Sequence, residues 1–173
     1  MSRTQAVWLA VILGLAGNFQ GFGAEVVPEN ALKVAFIFNF VGFIEWPAAT
    51  GPALNLCVVG KDPFGTALDT LAGKSVGTRT IQVMRLPGRQ DVRRCQILFI
   101  SPSEKNEVTS LLAALEGNST LTASDTDGLV RQGVMIGLEL EQKRVVFDVN
   151  LEAARRAGLS ISSKLLRLAK KIY

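Results

Sequence analysis

The sequence predicts an α/β fold: a three-layer sandwich on a mixed, mainly parallel sheet, with a C-terminal-half β-hairpin and two closing helices. Three observations carry this. The runs LNLCVVG (54–60) and CQILFIS (95–101) are apolar almost throughout, as strands buried on both faces are. Helical patterns alternate with such runs, which implies right-handed crossovers and parallel neighbours. The stretch 134–150, VMIGLELEQKRVVFDVN, reads as a hairpin turning at Gln142-Lys143.

The elements follow in order. ALKVAFIFNFVGFIEWP (31–47) is a helix with Asn30 as N-cap and Pro47 as stop. It is apolar nearly all round, so it is either a central core helix or part of a subunit interface. After the strand at 54–60, DPFGTALDTLAG (62–73) is predicted helical, capped by Asp62 with Pro63 at its first position. RTIQVMRL (79–86) alternates with period 2 and is a strand, as is CQILFIS. SEKNEVTSLLAALEG (103–117) is a helix capped by Ser103 and ended by Gly117, and STLTAS (119–124) is a strand. Beyond the hairpin, LEAARRAGLSISSKLLRLAKKIY supplies two helices broken near Gly158, with Ser160 as the cap of the second.

The first 23 residues read as a secretory signal peptide. Arg3 is followed by the uncharged run Ala6–Ala16, then by small residues at Gly21, Gly23 and Ala24, where cleavage is expected. A membrane anchor is the alternative, but a spanning helix needs roughly 20 apolar residues and Asn18 and Gln20 interrupt the run. Residues 24–173 then form a single α/β domain, soluble in the periplasm, without direct membrane insertion. Net charge is +4 for the whole chain and about +3 without Arg3. The excess gathers at Arg155, Arg156, Lys164, Arg167, Lys170 and Lys171, the pattern of a solvated helix face. No aromatic residues interleave with it, so nucleic acid is not an expected partner.

Chemistry is sharply limited. The chain has no histidine, which removes Ser-His-Asp and Cys-His arrangements and the commonest transition-metal ligand. GKDPFGT (60–66) sits where a phosphate loop would, yet Lys61 is misplaced for one. A receiver domain needs a carboxylate where CQILFIS ends in Ser101-Pro102. Cys57 and Cys95, 38 positions apart, are expected to form a disulfide in an exported chain, with two buried thiols as the alternative. Asp125 and Asp127 in SDTDGLVRQGVMI are the most site-like pair. A calcium loop counted from Asp125 would meet Leu129, Arg131 and Ile136 at ligand positions, so no metal is expected. Two roles remain for Asp125, Asp127, Gly128 and Gly133: a turn capped by one aspartate and shaped by the glycines, or a partner- or ligand-contacting loop. No catalytic residues, metal or cofactor are expected.

The segments FIEWP, LCVVGKDPFG, CQILFIS, LTASDTDGLVRQGVMIGL and FDVNLEAARRAGLSISSKLLRLA, in that order, resemble the YfiR family of periplasmic proteins, over about Ala31 to Tyr173. One departure is Val134, where the family pattern usually has a second glycine before Met-Ile. Any second disulfide found in some members has no cysteines here. The resemblance implies a regulator, not an enzyme: a repressor of an inner-membrane diguanylate cyclase through its periplasmic domain, controlling cyclic di-GMP and biofilm formation. It also implies a homodimer and a link to redox state. The alternative is a periplasmic small-molecule sensor module feeding a receptor or hybrid histidine kinase, with its pocket at the strand carboxyl ends.

Overall fold

The computed structural model of the chain describes residues 28–47 and 51–173; the leader expected over 1–23, with its cleavage site, lies outside the described residues. Helix α1 (Glu29–Val41) opens the described chain and leads into a two-residue strand, β1 (Ile44–Glu45). Parallel strands β2 (Ala53–Val59), β4 (Arg79–Leu86), β5 (Ile97–Ile100), β6 (Leu121–Ser124) and β7 (Ile136–Glu141) form the centre of the sheet. Strand β3 (Ser75–Val76) is antiparallel to β4, and β8 (Arg144–Val149) returns antiparallel to β7. A last strand, β10 (Lys171–Ile172), lies parallel to β8, giving the order β10-β8-β7-β6-β5-β2-β4-β3. This is the mixed, mainly parallel sheet that the sequence predicts. Apart from it, β1 pairs with β9 (Ser160–Ile161).

Both faces are buried, and side-chain alternation divides the core between them. Leu54, Leu56, Val58, Ile97 and Phe99 point into the layer that includes α1 and the closing segments α4 (Leu151–Arg156) and α5 (Ser163–Leu166). Cys57, Val59, Leu98 and Ile100 point the other way, against Val108 and Leu111 of α3 (Val108–Ala114) and the turn residue Leu129. A disulfide joins Cys57 to Cys95 inside this second layer, with Cα atoms 5.9 Å apart. Cys57 stands opposite Leu98 in the ladder, so the bridge is not a pair of facing strand residues. It ties the middle of β2 to the end of the 3-10 segment Arg89–Arg94 that feeds β5.

Several local expectations are corrected. Helix α1 is capped by Pro28 and ends at Gly42; Asn30 instead donates its amide to the Pro63 carbonyl. Lys33, Val34, Ile37, Phe40 and Val41 form its buried face, while Ala35 and Asn39 are exposed. The helix expected over 62–73 shrinks to one turn, α2 (Thr66–Asp69). Asp62 closes a local turn by accepting from the Phe64 N–H at 2.7 Å, and Gly65 follows with φ +54, outside helical geometry. The helix expected from Ser103 starts as a 3-10 turn, Pro102–Glu107, capped by Ser101. The Ser103 hydroxyl is drawn across to the Lys61 N–H at 2.9 Å. At the C-terminus Ser160 lies in β9 and Ser162 caps α5. The basic stretch is therefore no continuous helix face. Lys170 reaches Glu139 at 2.8 Å and also Glu141, and Lys171 enters the sheet, because β8 offers an open edge that Tyr173 closes with N–H to Val149 carbonyl at 2.8 Å.

Candidate functional site

The loop 125–133 leaves the carboxyl end of β6 and rounds a 3-10 turn, Leu129–Gln132, bounded by Gly128 at φ +82 and Gly133 at φ +114. Ser124 anchors its start, donating to the Ile100 carbonyl at 2.7 Å and accepting from the Thr126 N–H at 3.2 Å. The turn is therefore not capped by an aspartate. Asp125 reaches back to α1, where its Oδ2 accepts from Lys33 Nζ at 2.7 Å. Both side chains are about nine-tenths buried, at 9 % and 10 % exposure. Lys33 also meets Glu29 at 2.5 Å. Burial pulls the Lys33 pKa down, but the bonds to Asp125 and then Glu29 outweigh it and leave the ammonium held above its ordinary value.

The four loop residues singled out from sequence do not form one site. Asp125 faces α1. Asp127 and Gly128 line a groove of about 300 Å³ on the face of β7, β8 and β10 opposite α1. Gly133 lines a different groove, about 490 Å³, between α3 and α4 with Thr122, Met135 and Arg156. Gly133 also packs tightly, since a Cβ there would lie 3.2 Å from Leu112 Cδ1. With positive φ in addition, Gly133→Val is expected to cost about 2–3 kcal/mol, readable as a lowered urea midpoint.

The 300 Å³ groove is the stronger candidate. Its floor is Gly137 with Asp148 opposite in the ladder, and its rim carries Arg131, Lys171 and Tyr173. Tyr173 donates a long bond, 3.4 Å, to Asp148 Oδ2, and the Arg131 guanidinium lies 5.9 Å from the Tyr173 ring centroid. Two buried polar atoms of lining residues have no partner: Thr126 Oγ1 and Asp148 Oδ1. Unsatisfied buried polar groups cost free energy, so the hydroxyl and the carboxylate oxygen are kept at a cost. Sequence reasoning missed Lys33 and Asp148. Both had a signal: each is a lone charge flanked by apolar residues, Lys33 within ALKVAFIF and Asp148 within VVFDVN, although Asp148 falls on the face of β8 opposite the buried Val145, Phe147 and Val149.

The crevice where ligands bind most doubly wound sheets is filled. Strand order reverses at β2, beside β5. There Ser101 donates to the Lys61 carbonyl at 2.6 Å, and a Cβ at Gly60 would fall 2.4 Å from Ser103 Oγ and 2.6 Å from Glu104 Cγ. Among the described residues no three His, Cys, Asp or Glu side chains are grouped to hold a metal.

The fold is a doubly wound α/β domain with a mixed sheet. The chain belongs to the YfiR/HmsC-like family, whose model matches residues 30–170. Two solved structures share the fold. One is a conserved domain protein from Vibrio cholerae, 10 % identical with TM-score 0.59 over 85 % of this chain and 61 % of the other. The other is the ABC domain from Streptococcus pneumoniae in complex with L-Trp, 8 % identical with TM-score 0.56 over 83 % of this chain and 60 % of that one. The chain thus spans about three fifths of the length of each.

Proposed function

We propose that the protein is exported to the periplasm, forms one domain over 24–173, and represses a membrane-bound diguanylate cyclase by binding its periplasmic domain. Cyclic di-GMP output and biofilm formation would then rise when the contact is released. The observation that carries this reading is the groove at Asp127, Gly128 and Asp148: it is polar, lies beside one of the segments that resemble the family, and retains two unpartnered buried oxygens. The role is one of binding, not catalysis, and a homodimer is the proposed state. A sensor with its pocket at the β2–β5 carboxyl ends is less well supported, because Ser103 and Glu104 fill that crevice.

The test is capture of the cyclase from detergent-solubilised membranes by the mature protein, wild type against Asp148→Ala. Loss of capture by about tenfold or more, with an unchanged melting temperature, is expected when a buried charged partner is removed from an interface. Equal capture by both proteins would remove the groove from the interface.

A further inference from the structure

Apolar exposure and positive charge coincide in residues 151–173 of the chain. Of the 19 basic and 15 acidic residues, six basic and one acidic lie in 151–173, so residues 1–150 hold 13 against 14 and the excess of the whole chain resides in its last segment. Arg156 pairs with Glu152 and Lys170 with Glu139 and Glu141. Arg155, Lys164, Arg167 and Lys171 have no carboxylate partner among the described residues. Arg155 and α5 adjoin, since Arg155 and Leu166 line the same shallow groove. Among the described residues only four large apolar side chains are exposed, and three of them fall here: Leu168 at 69 %, Ile172 at 51 % and Tyr173 at 37 %.

We infer that the exposed side of α5 and its continuation, Lys164, Arg167, Leu168 and Ile172 with Arg155 beside them, is a docking surface for an anionic phospholipid bilayer. A second copy does not fit, because the patch holds unpaired cations and no free side-chain carboxylate to meet them across a two-fold interface. A lipid surface matches both features at once. Phosphate headgroups attract the cations, while Leu168 and Ile172 reach the acyl boundary. Exposed leucine at that level has no counterpart in purely coulombic binding to an acidic protein. The contact is adsorption at the surface, since no helix among the described residues is long and apolar enough to cross a membrane. Lipid binding requires no cyclase, so it stands or falls apart from the proposed function.

The experiment is co-sedimentation of the mature protein with vesicles of phosphatidylcholine and phosphatidylglycerol, against phosphatidylcholine alone, at physiological salt. Binding to the mixed vesicles only is expected. Lys164→Glu with Arg167→Glu lowers the partition coefficient by about tenfold or more, and Leu168→Asn alone by about threefold to tenfold. Lys61→Glu with Lys105→Glu changes the net charge equally at exposed positions outside the patch and leaves most of the binding. Circular dichroism melts confirm that each variant folds. The inference is overturned if wild type ignores the mixed vesicles, if the control pair loses as much as the patch pair, or if Leu168→Asn binds like wild type. Loss of cyclase capture by the patch pair without any vesicle binding would assign the surface to an acidic protein face instead.

Discussion

Replacing Cys57 and Cys95 by alanine is expected to cost about 4 kcal/mol, enough to remove much of the stability of a domain this size. The bridge closes 38 residues of sequence separation, and the magnitude follows from the loop entropy that the unfolded chain regains. That loop contains β4 and its crossover, so the loosened unfolded state is not the only effect. Cys57 is 0 % and Cys95 1 % exposed, both packed in the α3 layer with Val92, Leu98 and Val134. Trimming both side chains leaves space on the wall of that layer, which adds to the entropic loss. Burial also predicts how reduction proceeds. A thiolate reductant reaches neither sulfur until the layer opens, so the native protein should resist reduction and lose the bridge progressively faster as urea raises the open population. Trapping free thiols with a maleimide over a urea series, followed by mass, reads this directly. Fast reduction in the absence of urea would show that the bridge is reached without unfolding, as a surface switch would be.

The long parallel strands were legible by two signals: LNLCVVG and CQILFIS are apolar almost throughout, as strands buried on both faces are, and RTIQVMRL alternates with period 2. RTIQVMRL matches β4 residue for residue, and LNLCVVG is displaced by one position from β2. The hairpin turn was legible too: Gln142 and Lys143 adopt φ +47 and +64, the positive values that a two-residue connection requires. What escaped depends on partners far away in sequence. Strand β9 exists because Ile161 meets Ile44, and β10 because Lys171 meets Asp148. Neither pair leaves a local periodicity. The helix at 62–73 failed for the opposite reason. Its pattern is locally helical, but Phe64 is pulled into the core against Phe99, ring centroids 4.6 Å apart, and Gly65 bends the chain to allow it. The candidate site was half legible. Asp125, Asp127 and Gly133 lie within nine residues, yet the 3-10 turn between two left-handed glycines sends them to three different surfaces.

Asp125 shows how much that redirection changes an expected magnitude. As the cap of a turn, its loss would cost about 1 kcal/mol. As the buried partner of Lys33, its loss is expected to cost about 3 kcal/mol, because an ammonium at 9 % exposure then keeps only Glu29, itself half-exposed. The two single variants should be unequal. Lys33→Met leaves the Asp125 carboxylate buried with neither oxygen partnered, since Oδ1 has no hydrogen bond even in the wild type. That variant is expected to lose about 4–5 kcal/mol, more than Asp125→Ala. Changing both, Lys33→Met with Asp125→Leu, should recover most of the loss, as replacing a buried ion pair by apolar groups often does. The alkaline limb of the stability curve gives a second reading. The Lys33 pKa is raised in the folded protein by its bonds to Asp125 and Glu29 despite burial, so its contribution is fully present below the unfolded value, about 10.4, and declines as pH rises beyond it. Urea midpoints from pH 8 to 11 should therefore fall more steeply for wild type than for the double variant. Parallel slopes in the two proteins, or a Lys33→Met variant as stable as wild type, would mean that α1 and the aspartate loop are not held together by this pair.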